Sequence, residues 1–434
     1  MTSIAVLGSG MAGCGALHRL SAEGLRPTLY DKRAYAGGHT ASFRFAGGFL
    51  FDDGPHISFT RDERLQKLFA DHVGGEFQRL QARANNHWQG HWIKHPAQCN
   101  LFGLPTDLVV AILEDFVAAR QREPGEIHNY EEWLVATYGR RFAETFPMQY
   151  GEKYHTAPAR EMTTDWLGPR LYRPELEEVL RGALSPTTED VHYVDHFRYP
   201  TRGGFEAYLA PLWREADLRL EHEVVAIDPG AREIRFAHGA KASYEHLISS
   251  VPLPDLVAAI DGAPQEVREA AGLLACTTCV LVNIGIARQE ISEAQWTYIY
   301  DRDFTITRLS FPHTFSPHNV PAGTGSIQAE VYFSDKYRPL DRKPEELIPE
   351  VEADLRRCGL LRPDDEILLR NARMIRYANV IFDHDRSASL ATVHGFLEEA
   401  EIAWCGRYGE WGYQWTDESF VSGEHAAQKV LDRI

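Results

Sequence analysis

Ser3-Ile4-Ala5-Val6-Leu7-Gly8-Ser9-Gly10-Met11-Ala12-Gly13 is the stretch that decides the fold. Residues 3–7 form an apolar run of strand length, and the helical pattern Ala16-Leu17-His18-Arg19-Leu20 follows the glycines. Pro27-Thr28-Leu29-Tyr30 predicts a second strand, closed by Asp31, 18 residues beyond Gly13. A Gly-x-Gly-x-x-Gly motif carries weight in this strand, helix, strand, acid context. Gly8 permits the tight turn, Gly10 lets a pyrophosphate approach the backbone, and Gly13 lets helix pack on strand. The helix N-terminus, with Met11 and Ala12 in its first turn, then faces the anion. Asp31, with Lys32 beside it, is placed to accept hydrogen bonds from a ribose diol.

Asp31 alone does not choose between nicotinamide and flavin dinucleotides. Gly37-Gly38-His39-Thr40 follows it. An acid and then a diglycine at this spacing resembles the FAD superfamily of amine oxidases, protoporphyrinogen oxidase, phytoene desaturase and UDP-galactopyranose mutase. The resemblance implies FAD, with Gly37, Gly38, His39 and Val224 among its contacts. A second contact region is expected near the C-terminus. There the strand-like Ile402-Ala403-Trp404 leads into Cys405-Gly406-Arg407, and Asp417-Glu418-Ser419 precedes a helix from Phe420 to Ala427. A helix N-terminus beside a Gly-Arg pair suits the pyrophosphate and ribityl chain.

Between these ends the pattern changes twice. Asp62–Val73 reads as a helix, and residues 105–185 are helical, with Leu108, Val109, Ile112, Leu113 and Phe116 at helical spacing. Asn129 with Glu132 predicts a capping box, and Pro174 opens a further helix. Residues 218–236 alternate with period two around Pro229-Gly230 and predict a hairpin. Residues 280–333 are strand-like. The expected architecture is α/β: a Rossmann-like FAD-binding domain with a helical insertion and an antiparallel-sheet substrate domain. The FAD domain takes 1–85, the insertion 86–190, and the hairpin with the return to the FAD domain 191–262. The substrate sheet takes 263–394, and 395–434 completes the FAD domain.

Several ordered segments resemble the UDP-galactopyranose mutases in particular. They are Gly54-Pro55-His56-Ile57, Trp166-Leu167-Gly168-Pro169-Arg170, Tyr199-Pro200 with Gly203-Gly204, Trp296-x-Tyr298 with Arg308 ten residues on, and Gly406-Arg407 with Tyr413. The resemblance implies interchange of the pyranose and furanose forms of a nucleotide sugar through a reduced-flavin N5–sugar adduct. Positive charge is then needed where the diphosphate leaves, and Arg170 and Arg308 match the family's two arginines. Pro55 would offer its carbonyl to the flavin, and His56 would sit beside the isoalloxazine. Tyr298 and Tyr413 match tyrosines on the diphosphate, Phe146 the residue stacked on uracil, and Gln98 a residue at the uracil edge. Trp296 and Tyr377 complete the expected substrate contacts. Two departures bear on base or sugar recognition: His95 stands where eukaryotic mutases have tyrosine, and Gly151 where they have asparagine.

Composition excludes other classes. Over 434 residues, 45 Lys and Arg against 62 Asp and Glu give a net charge of −17, which repels nucleic acid. No apolar run approaches the roughly 20 residues of a membrane span. The N-terminal stretch lacks a basic signal-peptide region. Six scattered cysteines predict free thiols and a cytoplasmic setting. Cys276-Thr-Thr-Cys279 reads as buried strand. His87, His91 and His95 recur every four residues, but the turn at Gly90 and Pro96 scatter them, so no metal is expected. The acidic stretch 345–352 reads as a solvated helix face. A small-molecule substrate is expected, NAD(P)H is a candidate reductant, and a homo-oligomer is admitted. The alternative activity on the same scaffold is an FAD-dependent dehydrogenase or amine oxidase acting on a small biosynthetic substrate. A flavin-binding protein without catalysis is the third reading.

Overall fold

The computed structural model describes residues 2–122, 125–168, 171–188, 191 and 194–434. Its first sheet has five parallel strands in the order Ile402–Trp404, His246–Ser249, Ile4–Leu7, Thr28–Tyr30 and Asp217–Arg219. Parallel strands covered on both faces need apolar residues at nearly every position, and Ile4–Leu7 is buried throughout. Ile4, Val6, Leu29, Ile248 and Ala403 pack under the helices Met11–Ala22 and Thr416–Leu431. Ala5, Leu7, Tyr30, Leu247 and Ile402 face the opposite layer.

Asp217–Arg219 corrects the predicted hairpin over 218–236. It joins the parallel sheet beside Thr28–Tyr30, and the hairpin is confined to Val224–Asp228 and Glu233–Phe236. Period-two alternation is the same for an edge strand of either sheet, so it could not separate them. The predicted capping box is also shifted. Asn129 Oδ1 accepts from the Glu132 N–H at 3.0 Å, but the Glu132 carboxylate accepts from the His128 N–H rather than from Asn129.

The second large sheet has seven strands, in the order Ile367–Ile375, Thr278–Ile286, Gly325–Phe333, Arg308–Ser310, Trp296–Ile299, Ala84–Trp88 and His91–Lys94. It is antiparallel except where Ala84–Trp88 runs parallel to Trp296–Ile299. Two of its strands thus come from around residue 86, the expected start of the helical insertion. Similarly, the helix Arg386–Glu399 crosses the expected boundary at 395. Both strands Thr278–Ile286 and Gly325–Phe333 are buried at all 9 positions. Alternate residues serve different faces. Val280, Val282, Ile284, Ile327, Ala329 and Val331 pack with Leu347, Val351 and Leu355. Cys279, Leu281, Glu330 and Tyr332 face the first domain across a cavity.

The helical layer buries one lysine. Lys153, 5% exposed, donates to the carbonyls of Ile299 at 3.2 Å and Asp301 at 2.9 Å. Burial lowers its pKa to about 7 against the pull of Asp301 and Asp354. Between that value and the ordinary lysine range near 10.4, the unfolded chain holds a proton that the folded chain has lost. Stability therefore rises with pH through this window. Urea unfolding at pH 7 and pH 9 should show wild type gaining about 2 kcal/mol relative to Lys153→Met. Parallel pH profiles for the two proteins would refute this.

Candidate active site

A cavity of about 1050 Å3 lies between the two sheets and the helical layer. Its first wall is the glycine turn. Gly8 has φ +101°, and a Cβ on Gly13 would stand 1.9 Å from the Gly8 carbonyl oxygen. Gly13 thus serves the helix–strand contact and is not itself among the lining residues, whereas Gly8, Gly10, Met11 and Ala12 are. Asp31 Oδ2 accepts from the Ser9 N–H at 2.9 Å and the Ser9 hydroxyl at 2.6 Å, and Oδ1 accepts from the Arg33 N–H at 3.0 Å. Lys32, Gly37, Gly38, His39 and Val224 also line the cavity, as do Gly406 and Arg407 from the far end of the chain.

The donor set fits a flavin dinucleotide. Arg33 Nη1 and Arg407 Nε are buried without a hydrogen-bonding partner among the described residues, and both arginines line the crevice. Buried guanidinium nitrogens need an acceptor, and the pyrophosphate and flavin oxygens of FAD are acceptors. The backbone cradle formed by Gly10 and Gly38 has no side chain to obstruct it. His39 adds an oriented ring. The Tyr408 hydroxyl has the carbonyls of Tyr377 at 2.8 Å and Ala378 at 2.9 Å to donate to. His39 Nδ1–H therefore donates to Tyr408 at 3.0 Å, which leaves Nε2 as an acceptor.

Sheet register builds the second wall. Tyr298 pairs across the ladder with Arg308, Arg308 with Glu330, Glu330 with Leu281, and Leu281 with Arg373. Residues directly opposite share a face, so this row presents Tyr298, Arg308, Glu330 and Leu281 to the cavity. Arg308 makes a bidentate pair with Glu330, Nε to Oε2 and Nη2 to Oε1, both at 2.8 Å. The Tyr332 hydroxyl donates to the same Oε2 at 2.7 Å. Burial disfavours the Arg308 charge, yet Glu330 holds its pKa well above the ordinary value. The fork geometry fixes the guanidinium plane.

His56 connects the two walls. Its Nδ1 lies 3.0 Å from the Gly54 carbonyl, to which it donates. Burial drops its pKa to about 4, and the charges of Arg407 and Arg308 push it the same way. His56 is thus a neutral ring within electrostatic reach of both arginines, beside Pro55, which also lines the cavity. Tyr413 hydrogen-bonds Tyr154 at 2.6 Å between their hydroxyls and lies under Arg407, whose guanidinium carbon is 4.7 Å from the ring centroid. Gln98, Trp296, Tyr298 and Tyr377 line the same space. Gln98 donates to the Tyr172 carbonyl at 3.2 Å, and the Tyr377 hydroxyl to Asp255 at 2.7 Å.

Three expectations need correction or fall elsewhere. Phe146 is 0% exposed and packs against Trp88, Phe142 and Tyr300. That closed core position leaves no face for a base; Phe142, Tyr138 and Tyr150 line the cavity instead. Asp417 and Glu418 are not cavity residues. Glu418 accepts from the Trp415 N–H at 2.8 Å and caps the helix, while Thr416 and Ser419 reach the crevice. Arg170 lies outside the described residues.

Sequence reading missed Arg33, Ser250 and Tyr408 on the cofactor side, and His155 and Glu330 on the other. Arg33 follows Asp31 and Lys32 directly and was within reach of the motif. Glu330 is legible only through strand register. No group of three potential metal ligands occurs among the described residues. His87 is instead 2.7 Å from Asp301, and His95 donates to Asn86 at 2.9 Å. The cysteines are free, and burial pushes the Cys276 thiol up to about 12. No helix among the described residues is long and apolar enough to cross a membrane.

Residues 6–72 match the model of the NAD(P)-binding Rossmann-like domain. Over its whole length the structure is similar to a crystal structure of reduced UDP-galactopyranose mutase. The TM-score is 0.94 at 25% identity, covering 100% of this chain and 96% of that one. The chain has a UDP-galactopyranose mutase-like fold. A protoporphyrinogen oxidase-like protein from Exiguobacterium sp. 255-15 shares this mutase-like architecture at a TM-score of 0.77. It is 16% identical and covers 100% of this chain and 99% of that one. A 4,4'-diapophytoene desaturase of Staphylococcus haemolyticus is 38% identical over 76 residues, 16% of this chain and only 15% of that protein's own length. The mutase-like fold is thus shared with an oxidase-like protein, and flavin is the cofactor class that the crevice supports.

Proposed function

We propose that this protein is an FAD-dependent nucleotide-sugar mutase that interconverts pyranose and furanose forms. The observation that carries the reading is the Arg308 guanidinium. It is held in one plane by Glu330, in one cavity with His56 and in one sheet row with Tyr298. Gly8, Gly10, Met11, Ala12, Asp31, Gly37, Gly38, His39, Arg33 and Arg407 would hold FAD, which in its reduced form would supply nucleophilic electron density toward an anomeric carbon. Arg308 meets the negative charge that grows on the leaving diphosphate, where fixed charge in a water-poor site contributes most. Arg170 shares that role, and the Tyr298 and Tyr413 hydroxyls donate to the phosphate oxygens. Glu330 keeps Arg308 in place before substrate arrives. Neutral His56 shapes the flavin pocket and moves no proton. NAD(P)H is the proposed reductant and the reducing cytoplasm the proposed setting, which suits six unpaired thiols.

A second reading rests on the same ion pair. With Glu330 neutralising Arg308, the cleft is largely aromatic and of low net charge, which suits a flavin dehydrogenase or amine oxidase. One experiment separates the two. Chemically reduced holoenzyme is mixed with UDP-galactopyranose and related donors, and products are resolved by mass and chromatography. The mutase gives an isomer of equal mass with no net consumption of reductant. Stoichiometric anaerobic bleaching of oxidised flavin by an amine or carbon substrate, without isomer, would establish the oxidoreductase instead.

A further inference from the structure

His155 is a polar residue of the cavity that the proposed mechanism does not use. It caps the C-terminus of the helix Pro147–Tyr154, lines the cavity and is 4% exposed. Its Nδ1 is sealed from solvent without a hydrogen-bonding partner, and its Nε2 has none among the described residues. Two aromatic rings flank it, with centroids of Tyr154 and Trp166 each 4.9 Å away. Burial pulls its pKa down to about 3, so the imidazole is neutral, with one N–H and one lone pair. Burying Nδ1 without a partner among the described residues is a cost that a packed core avoids by placing an apolar residue there. The next residue adds to it: Thr156 is buried and β-branched, yet has φ +62°. Its hydroxyl donates to Ser334 Oγ at 2.6 Å, pinning the strained segment.

Position and charge define what the ring can bind. The Tyr154 ring neighbours both His155, at 4.9 Å between centroids, and Arg308, whose guanidinium carbon is 5.9 Å from the Tyr154 centroid. His155 thus shares an aromatic neighbour with the cation assigned to the diphosphate. A neutral imidazole offers a phosphate one N–H and no charge, whereas a hydroxyl can use either its N–H or its lone pair. The geometry points to His155 as a specificity-determining residue that hydrogen-bonds a hydroxyl of a sugar flanking the diphosphate. This assignment rests on the nucleotide-sugar reading above. The hydroxyl comes from the ribose or from the transferred hexose.

The test uses FAD-loaded, reduced enzyme with UDP and UDP-galactopyranose as probes, their Kd values read from the flavin fluorescence. His155→Phe keeps the ring and removes the hydrogen bond, and should weaken binding about 10-fold, the worth of one such bond. His155→Gln, which can still donate and accept, should stay within about threefold of wild type, flavin content being equal. Weakening of both probes assigns the ribose hydroxyl; weakening of UDP-galactopyranose alone assigns the hexose. The 15N ring signals of His155 in wild type should move on ligand addition, which keeps the test open should His155→Phe fail to fold. Unchanged Kd values with unmoved ring signals would overturn the assignment while leaving the mutase reading intact. Failure of wild type to bind either probe would overturn the mutase reading and this assignment with it.

Discussion

Arg308→Ala is expected to lower turnover of the reduced enzyme about 1000-fold while the purified protein keeps its flavin. Loss of positive charge at the departing diphosphate acts on the transition state, so the fall appears mainly in kcat. The variant carries a second burden. Glu330 is 2% exposed, and without its partner it becomes an unpaired buried carboxylate, which costs about 3–5 kcal/mol. A combined Arg308→Met and Glu330→Gln protein removes both charges and should regain most of that stability. Turnover should not return with it. Steady-state kinetics beside chemical unfolding of the single and double variants separate the two effects. Recovery of turnover in the double variant would show that Arg308 matters only as Glu330's counter-ion, and near-wild-type turnover of Arg308→Ala would remove it from the chemistry.

Gly423→Val is expected to yield a colourless protein. A Cβ at Gly423 would stand 1.9 Å from the Ala12 carbonyl oxygen and 2.8 Å from the Ala16 nitrogen. Both are backbone atoms of the helix Met11–Ala22, so no rotamer change relieves the clash. The reciprocal contact is as close, since a Cβ on Gly15 would lie 1.9 Å from the Phe420 carbonyl oxygen. Forcing the helices apart moves Ala12, and with it the helix N-terminus that lines the cavity at the proposed pyrophosphate site. Gly406 moves too, because a Cβ there would already meet Ala12 Cβ at 2.6 Å. The loss should reach about 3 kcal/mol, the upper end for overpacked interiors. Absorbance near 450 nm per mole of protein and the melting temperature check this. A yellow variant that melts like wild type would show that the helix pair tolerates separation.

These two sites differ in how far the sequence exposed them. Gly8, Gly10, Gly13 and Asp31 form a local code: the turn, the helix start and the strand end all lie within one βαβ unit, so spacing alone placed them. Arg308 came from resemblance and lines the cavity, but nothing in the sequence pointed to its partner Glu330, which lines it too. Glu330 lies 22 residues on in another strand, and nothing in its neighbourhood marks it as different from an ordinary strand acid. Phe146 shows the opposite failure. A matching motif put an aromatic at the base, whereas packing turned that ring into the core and offered Phe142 and Tyr150 to the cavity. His155 carried no motif at all; it stands out because its sealed Nδ1 has no partner among the described residues.

The sequence by itself determined the dinucleotide-binding unit, the alternation of helical and strand segments, and the glycine turns at Gly8 and Gly10 that line the cavity. Each of these depends on residues close in the chain, where glycine conformation and side-chain periodicity act directly. Only the tertiary structure decided which strand edge Asp217–Arg219 joins, that Ala84–Trp88 completes the second sheet, and that Arg308 meets Glu330. Those pairings are set by register between distant segments, and a shift of one residue would turn every side chain in the row to the other face.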